Sequence, residues 1–429
     1  MGLRSALARF ASGAPTPVFV VGGVGGRRAA QHLQLSSVLA PTPSPRAADA
    51  LVVAGFLTER LLPAVMLAHD QIPAPRLAFQ WLPDGAPDDP LAAALPGLRV
   101  VEGGALPSII RTEHERLLLG GGVRDDAWPD VEPATWRDIG PYRQGGKGMT
   151  GGVPFGRPLA GRADDRDGLK LDRLDVRVGP LFPAFPPGLE LVLGVQGDVA
   201  QEVAVGANPF EGITLGARTE DVFARVAREA VPIAELEGAR ARSHLRWLAD
   251  ALRVAGLPSL GRRVLALAVR AGSGDVRRVA RLRRSLERGR GLWWLARGVG
   301  VVREDVGGPA ARAAGHPSDL RMELDEYRAL GFEPVVGEGG DALARWRQRV
   351  AEAEQSLRLA GAAGDAAIGP LDVVEGPRGP IGAPGVGAGA LLDLLPGLVV
   401  GMEWGDLVTT VVSLDLDLEE AAALEEVPA

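Results

Sequence analysis

Cysteine is missing altogether from the 429 residues. Its absence excludes thiolate-ligated iron–sulfur clusters, cysteine zinc sites, disulfides and thiol nucleophiles together. Lysine is almost missing as well: only Lys147 and Lys170 occur, so nearly all the positive charge is arginine. Tyrosine occurs twice, at Tyr142 and Tyr327. The histidines His32, His69, His114, His244 and His316 are scattered at spacings that suit no metal site. No apolar run approaches the ~18 residues of a membrane span. The best candidate, Ala390 to Val400, is interrupted by Asp393 and Pro396. With 47 basic against 54 acidic residues, the net charge of -7 offers no electrostatic footprint for nucleic acid. The segment Met1 to Ser12 lacks the apolar core of a secretory signal, although Leu3, Ala6, Leu7 and Phe10 could share one helical stripe.

What is present is the balance of a globular chain, 46% apolar and 24% charged, long enough for two or three domains. Pro17 to Gly22, Arg27 to Leu39, Ala50 to Gly55 and a stretch ending near His69 alternate strand-like and helix-like patterns, which predicts a parallel sheet covered by helices. Gly22, Gly23, Gly25 and Gly26 follow the first strand like a phosphate-cradling turn. Arg28 stands where G-x-G-x-x-G needs its last glycine, so the turn reads as a tight strand-to-helix connection. Further on, Arg173 to Val178, Leu189 to Val195 and Val199 to Val205 read as strands, the last two joined at Gln196-Gly197-Asp198 in a hairpin. From about Pro232 the period becomes helical: Ala241, Leu245, Leu248, Leu252 and Ala255 make one stripe, and Leu343, Trp346, Val350, Ala353 and Leu357 another. His244, one position from the first stripe, reads as a structural hydrogen-bonding residue. The expected organisation is a tail over 1–14, an α/β domain over 15–125, a Gly/Pro-rich linker or loop over 126–171, an α+β domain of hairpin and helical bundle over 172–420, and an acidic tail over 421–429.

Pro43-Ser44-Pro45-Arg46, Ala48 to Gly55, Thr58, Pro63 and Asp70 to Arg76 resemble the B-type, small iron–sulfur subunit of respiratory complex I. Gly179-Pro180-Leu181-Phe182-Pro183 with the hairpin behind it resembles the opening of the D-type, large quinone-site subunit, a relative of the nickel–iron hydrogenase large subunit. Arg242 to Leu245, Gly298 to Val302, Gly308-Pro309 with Arg312 and Gly315, Gly337 to Asp341, Gln355 to Arg358, Glu375 to Gly379 and Ser413 to Asp415 follow the same order. The resemblance implies a flavodoxin-like α/β domain fused to a hydrogenase-large-subunit-like α+β domain.

The chain departs from both families at their redox positions. The resemblance puts Asp84 and Gly104 where the B type carries cluster cysteines, and Phe182 and Pro186 where the hairpin of the D type carries histidines. Neither Phe nor Pro can donate a hydrogen bond or a proton to a quinone oxygen. Gly179, Pro180, Phe182, Pro183, Phe185 and Pro186 are the expected equivalents of the quinone cavity, walled as a stiff apolar plug. No catalytic residue, cofactor or metal ligand is expected. The favoured function is a non-redox structural or coupling subunit, cytoplasmic and peripheral on the inner face of a bacterial cell membrane. Its implied partners are other complex-I-like subunits, antiporter-like membrane subunits among them. The alternatives are an active NADH-quinone oxidoreductase component whose electrons come from a cluster in another chain, and an independent nucleotide-binding enzyme using the Gly22 to Gly26 turn.

Overall fold

Short runs of Val, Leu, Ala and Phe build a five-stranded sheet in the first part of the chain. Its strands are β1 (Thr16–Gly22), β2 (Leu39–Pro41), β3 (Ala50–Ala54), β4 (Leu77–Trp81) and β5 (Arg99–Val101), in the order β2-β1-β3-β4-β5. Every pairing is parallel. That order is doubly wound, with its switch point between β1 and β3. All five residues of β3 are buried, because a central parallel strand is covered on both faces. Strand alternation sorts the core: Phe19, Val21, Leu51 and Val53 pack on one side, Val18, Ala50, Val52 and Phe79 on the other. α1 (Arg27–Leu33) and α4 (Leu106–Arg116) cover the second side, while α2 (Leu62–Gln71) and α3 (Pro90–Ala94) cover the first.

The computed structural model describes residues 13–82, 90–95, 97–101, 103–121, 138–141, 143–147, 152–154, 160–164, 168–213, 221–383 and 386–425. Asp84, Tyr142 and the stripe from Leu3 to Phe10 lie outside them.

The second sheet is antiparallel, β6-β7-β8-β9, from β6 (Gly161–Asp164), β7 (Lys170–Val178), β8 (Leu191–Gln196) and β9 (Val199–Val205). β8 and β9 turn at Gly197, whose φ of +62° suits glycine. β6 comes from the segment expected to be a linker, and it is held in the sheet by pairing along Gly161↔Arg173 to Asp164↔Lys170.

Helices follow: α5 (Val222–Arg225), α6 (Ile233–Val254), α7 (Pro258–Arg270), α8 (Val276–Glu287), α9 (Arg290–Ala296), α10 (Gly308–Ala313), α11 (Asp325–Ala329), α12 (Ala342–Ala362), α13 (Ala388–Val399), α14 (Trp404–Leu414) and α15 (Leu418–Glu425). Ala241, Leu245, Leu248 and Leu252 of α6 are buried with Trp346, Val350, Ala353 and Leu357 of α12. The rings of Trp247 and Trp346 meet edge-on at 5.5 Å. One side of the first-half sheet shares its core with the second half. Phe19, Val21, Leu51 and Val53 share one apolar cluster with Leu191 and Leu193 of β8, Leu395 of α13 and Leu414 of α14. Ala421 and Ala422 of α15, in the stretch expected as an acidic tail, are buried.

Candidate functional site

At the carboxyl end of β1 the chain runs through Gly22 to Gly26 into α1, where a doubly wound sheet offers its crevice. The amides of that turn are already engaged. Gly23 N donates to Ala54 O at 2.7 Å, Val24 N to Phe56 O at 2.8 Å and Gly26 N to Gly23 O at 3.0 Å. Gly25 N donates to the Glu419 carboxylate at 3.1 Å, so a carboxylate of the chain itself sits where a phosphate would be held. The turn also refuses side chains. A Cβ on Gly23 would strike the carbonyl of Phe56, and one on Gly26 that of Ala54. Cysteines could not be housed at either position, and the chain has none to ligate iron elsewhere. The donor set therefore does not fit a thiolate-ligated cluster. Gly104 lies exposed in the turn Gly103–Ala105 after β5.

The loop from Gly179 to Pro187 lies against the end of β1. Gly179 has a φ of +109°, and a Cβ there would collide with the carbonyl of Leu189, so this position takes only glycine. The Phe182 and Phe185 rings meet edge-on at 5.0 Å and both rest on Trp404, at 5.8 and 6.3 Å. Phe185 is buried in the apolar cluster that holds Phe19 and Val21 of the parallel sheet, and Phe182 packs against it. Pro180, Phe182, Pro183, Phe185 and Pro186 also line a cavity of about 620 Å³. Its other walls come from Val20 to Gly22, from Gln31 of α1 and Gln34 just after it, and from Trp247, Asp250 and Arg253 of α6. Arg262 of α7 and Val411 and Asp415 at the end of α14 complete it.

Asp415 starts a chain of buried charges that leads away from the cavity. Its carboxylate lies 2.9 Å from Arg27, 3.1 Å from Arg349 and 3.3 Å from Arg378. Burial by itself would raise its pKa, but those three guanidiniums hold it below the usual carboxylate range. Beyond Arg349 stands His244, 3.5 Å from it and 3.3 Å from Glu352. Burial pushes the His244 pKa down to about 4, with Glu352 opposing and Arg349 and Arg240 assisting. Glu352 pairs with Arg312 at 2.8 Å, and Arg312 also pairs with Glu375 at 2.9 Å and Asp319 at 3.0 Å. Arg321 links Asp319, at 2.7 Å, to Glu237, at 3.2 Å. Burial alone would raise Glu237, but Arg240 and Arg321 hold it at about 2. Tyr327 donates to Glu237 at 2.7 Å, and its phenol is pushed up, first by burial and then by that carboxylate.

The structure thus brings five of the six expected cavity residues onto one wall, with Gly179 at its start. Tyr327 belongs to the far end of the ionic chain. His244 is buried, with Arg349 3.5 Å from its Nδ1 and Glu352 3.3 Å from its Nε2. The residues missed in the sequence are Arg27, Arg253, Arg349 and Asp415. One signal was available for Arg349: with Arg345, Gln348 and Glu352 it puts polar residues on the other side of α12 from Leu343, Trp346 and Val350, and a long helix polar there yet buried all round has charged partners.

Residues 296–373 match the family described as respiratory-chain NADH dehydrogenase, 49 Kd subunit. They contain Arg312, Asp319, Arg321, Tyr327, Arg349 and Glu352 of the ionic chain. A stretch of 71 residues is 44% identical to the D-type subunit of NADH-quinone oxidoreductase from Syntrophobacter fumaroxidans (strain DSM 10017 / MPOB), covering 15% of this chain and 19% of that protein. The match thus spans about a fifth of the curated relative's length. Among solved structures, a chain of the membrane-bound sulfane sulfur reductase, an archaeal respiratory membrane complex, aligns over 58% of this chain and 98% of its own, with 19% identity and a TM-score of 0.45. The segment from 296 to 373, which supplies about half of the buried ionic chain, is similar to the 49 Kd subunit of the respiratory-chain NADH dehydrogenase.

Proposed function

We propose that this chain is a non-redox structural or coupling subunit of a complex-I-like, membrane-associated assembly, with a B-like, flavodoxin-like sheet and a D-like bundle fused in one polypeptide. The observation that carries this reading is the cavity wall. At the positions where the resemblance implies histidines, the wall presents Phe182 and Pro186, which can neither polarise a carbonyl nor deliver a proton. The chain also has no thiolate to bring an electron there. Fusing two subunits that touch one another keeps them at high effective concentration and equal stoichiometry, which serves an assembly even where no electron flows. No described helix is long and apolar enough to cross a membrane, so attachment would run through partners, antiporter-like membrane subunits among them. Exposed apolar side chains support a partner-bound life: Trp294 is 78% exposed and Leu174 on β7 is 53% exposed. Purification from the native host tests the reading. Co-purification with polytopic membrane proteins is expected, and quinone reduction by the isolated chain would overturn it.

The size of the cavity favours one second reading. About 620 Å³ leaves room for a quinone headgroup, and electrons could be supplied by a cluster in another polypeptide. Phe182→His in the intact assembly separates the two: a gain in quinone reduction supports this second reading, and no gain supports the first. An independent nucleotide-binding enzyme is disfavoured by the engaged amides of the Gly22 to Gly26 turn.

A further inference from the structure

The polar groups on the cavity wall are unevenly satisfied. Its carboxylates are occupied: Asp250 accepts from Gln31 Nε2 at 2.7 Å, and Asp415 carries three arginines. Two of its arginines are not matched by any carboxylate among the described residues. Arg253 donates one Nη2 bond to the carbonyl of Pro183 at 2.9 Å, and its buried Nε has no partner. Arg262 donates only to the carbonyls of Leu35 and Ser36, at 3.2 and 3.0 Å. Behind this wall, on the face of α6 toward α1, the buried Nε of Arg246 is also without a partner. Its pKa falls to about 10, chiefly through burial and then through Arg28, Arg242 and Arg27. The rest of the wall is apolar, with Leu181, Phe182, Phe185, Trp247, Val411 and Leu416.

The half-buried Arg253 keeps its Nε buried without an acceptor beside an apolar chamber, which is costly unless an anion completes it, while Arg262 is exposed. We infer that the cavity binds an amphiphile with a carboxylate or phosphate head, the head meeting Arg253 and Arg262 and the apolar body lying between the Phe182 loop and Trp247. A volume of about 620 Å³ falls inside the usual range of small-molecule sites, about 300–1,000 Å³. The inference concerns this chain's own cavity and does not depend on which assembly the chain joins.

Binding of four twelve-carbon probes to the full chain tests it: dodecanoate, dodecyl phosphate, dodecanol and dodecyltrimethylammonium, each below its micellar concentration, by calorimetry. The two anions are expected to saturate at one site and to bind about tenfold or more tighter than dodecanol, the weight of one charge-assisted hydrogen bond. Arg253→Gln should bring the anions to the level of dodecanol while leaving dodecanol unchanged. Equal binding of all four probes, no binding of either anion, or an anion preference that survives in a folded Arg253→Gln protein would overturn the inference. If that variant does not fold, the head-group series on the unaltered chain decides alone. Incubation with phosphatidate-containing vesicles separates the sources. Extraction of phosphatidate identifies a lipid, and uptake of dodecanoate alone identifies a free acid, and either result supports the site. Failure of all probes would leave co-purification with membrane subunits untouched, so the two readings fail separately.

Discussion

Arg27, at the first position of α1, lies 2.9 Å from Asp415, which ends α14 and stands 388 residues further along the chain. The pair ties the parallel sheet to the helical bundle beside the cavity. Asp415 is fully buried and also receives Arg349 and Arg378. Removing its charge takes from Arg349 its carboxylate partner and one of two or more from Arg27 and Arg378, which keep Asp417 and, for Arg378, Glu420. Asp415→Asn is therefore expected to destabilise the protein by about 3–5 kcal/mol, read as a lower urea midpoint. An unchanged midpoint would mean that the cluster adds nothing to the union of the two parts.

Phe185 is only 7% exposed and belongs to the core shared by both halves. Phe185→Ala removes the ring that touches Phe182 and Trp404 and should cost about 3–5 kcal/mol. Thermal melting of the variant checks this, and an unshifted melting temperature would show that the loop contributes no packing energy.

Because the chain has no thiolate, the purified protein should contain neither iron nor acid-labile sulfide at one cluster per chain. Introducing cysteine at the β1 turn should not create a site. Gly26→Cys puts a Cβ into the carbonyl of Ala54, so the expected result is loss of soluble folded protein, followed by circular dichroism. A folded Gly26→Cys protein that takes up iron would contradict the packing described for this turn.

His244 makes stability depend on pH in a definite direction. Its folded pKa, about 4, lies below its ordinary value of about 6.5, so the unfolded chain takes up the proton first. Above pH ~6.5 both states are neutral and the residue contributes nothing to the slope. As the pH falls from ~6.5 towards 4, up to roughly 3 kcal/mol should be lost. Denaturant titrations at a series of pH values measure this, and His244→Gln should flatten the curve in that window. Glu237, held at about 2, adds its own loss only below the ordinary carboxylate range, so the two groups can be told apart.

Local pattern reaches far along this chain. Val- and Leu-rich runs of about five residues mark β1 and β3, and the turn at Gly197 marks the β8–β9 hairpin. The apolar spacing from Ala241 to Leu252 and from Leu343 to Leu357 marks α6 and α12, because strand and helix periods are written into nearest neighbours. Nothing local marks the pairing of Gly161–Asp164 with β7, since a four-residue edge strand rich in charge carries no apolar alternation.

By itself the sequence determined what chemistry is out of reach. Zero cysteines exclude thiolate ligation in any fold, and phenylalanine and proline cannot relay a proton wherever they are placed. It also placed Phe182, Phe185 and their prolines on one wall, because a short loop keeps its residues together. Only the tertiary structure decided that this wall lines a cavity as well as packing into the common core. Only it set Glu419 against Gly25, closed Arg27 on Asp415, and left Arg253 without a carboxylate. Those relations join residues tens to hundreds of positions apart, and no local period records them. They follow from how the sheet and the bundle bury one common apolar core, which brings distant charges together in a medium where each must find a partner.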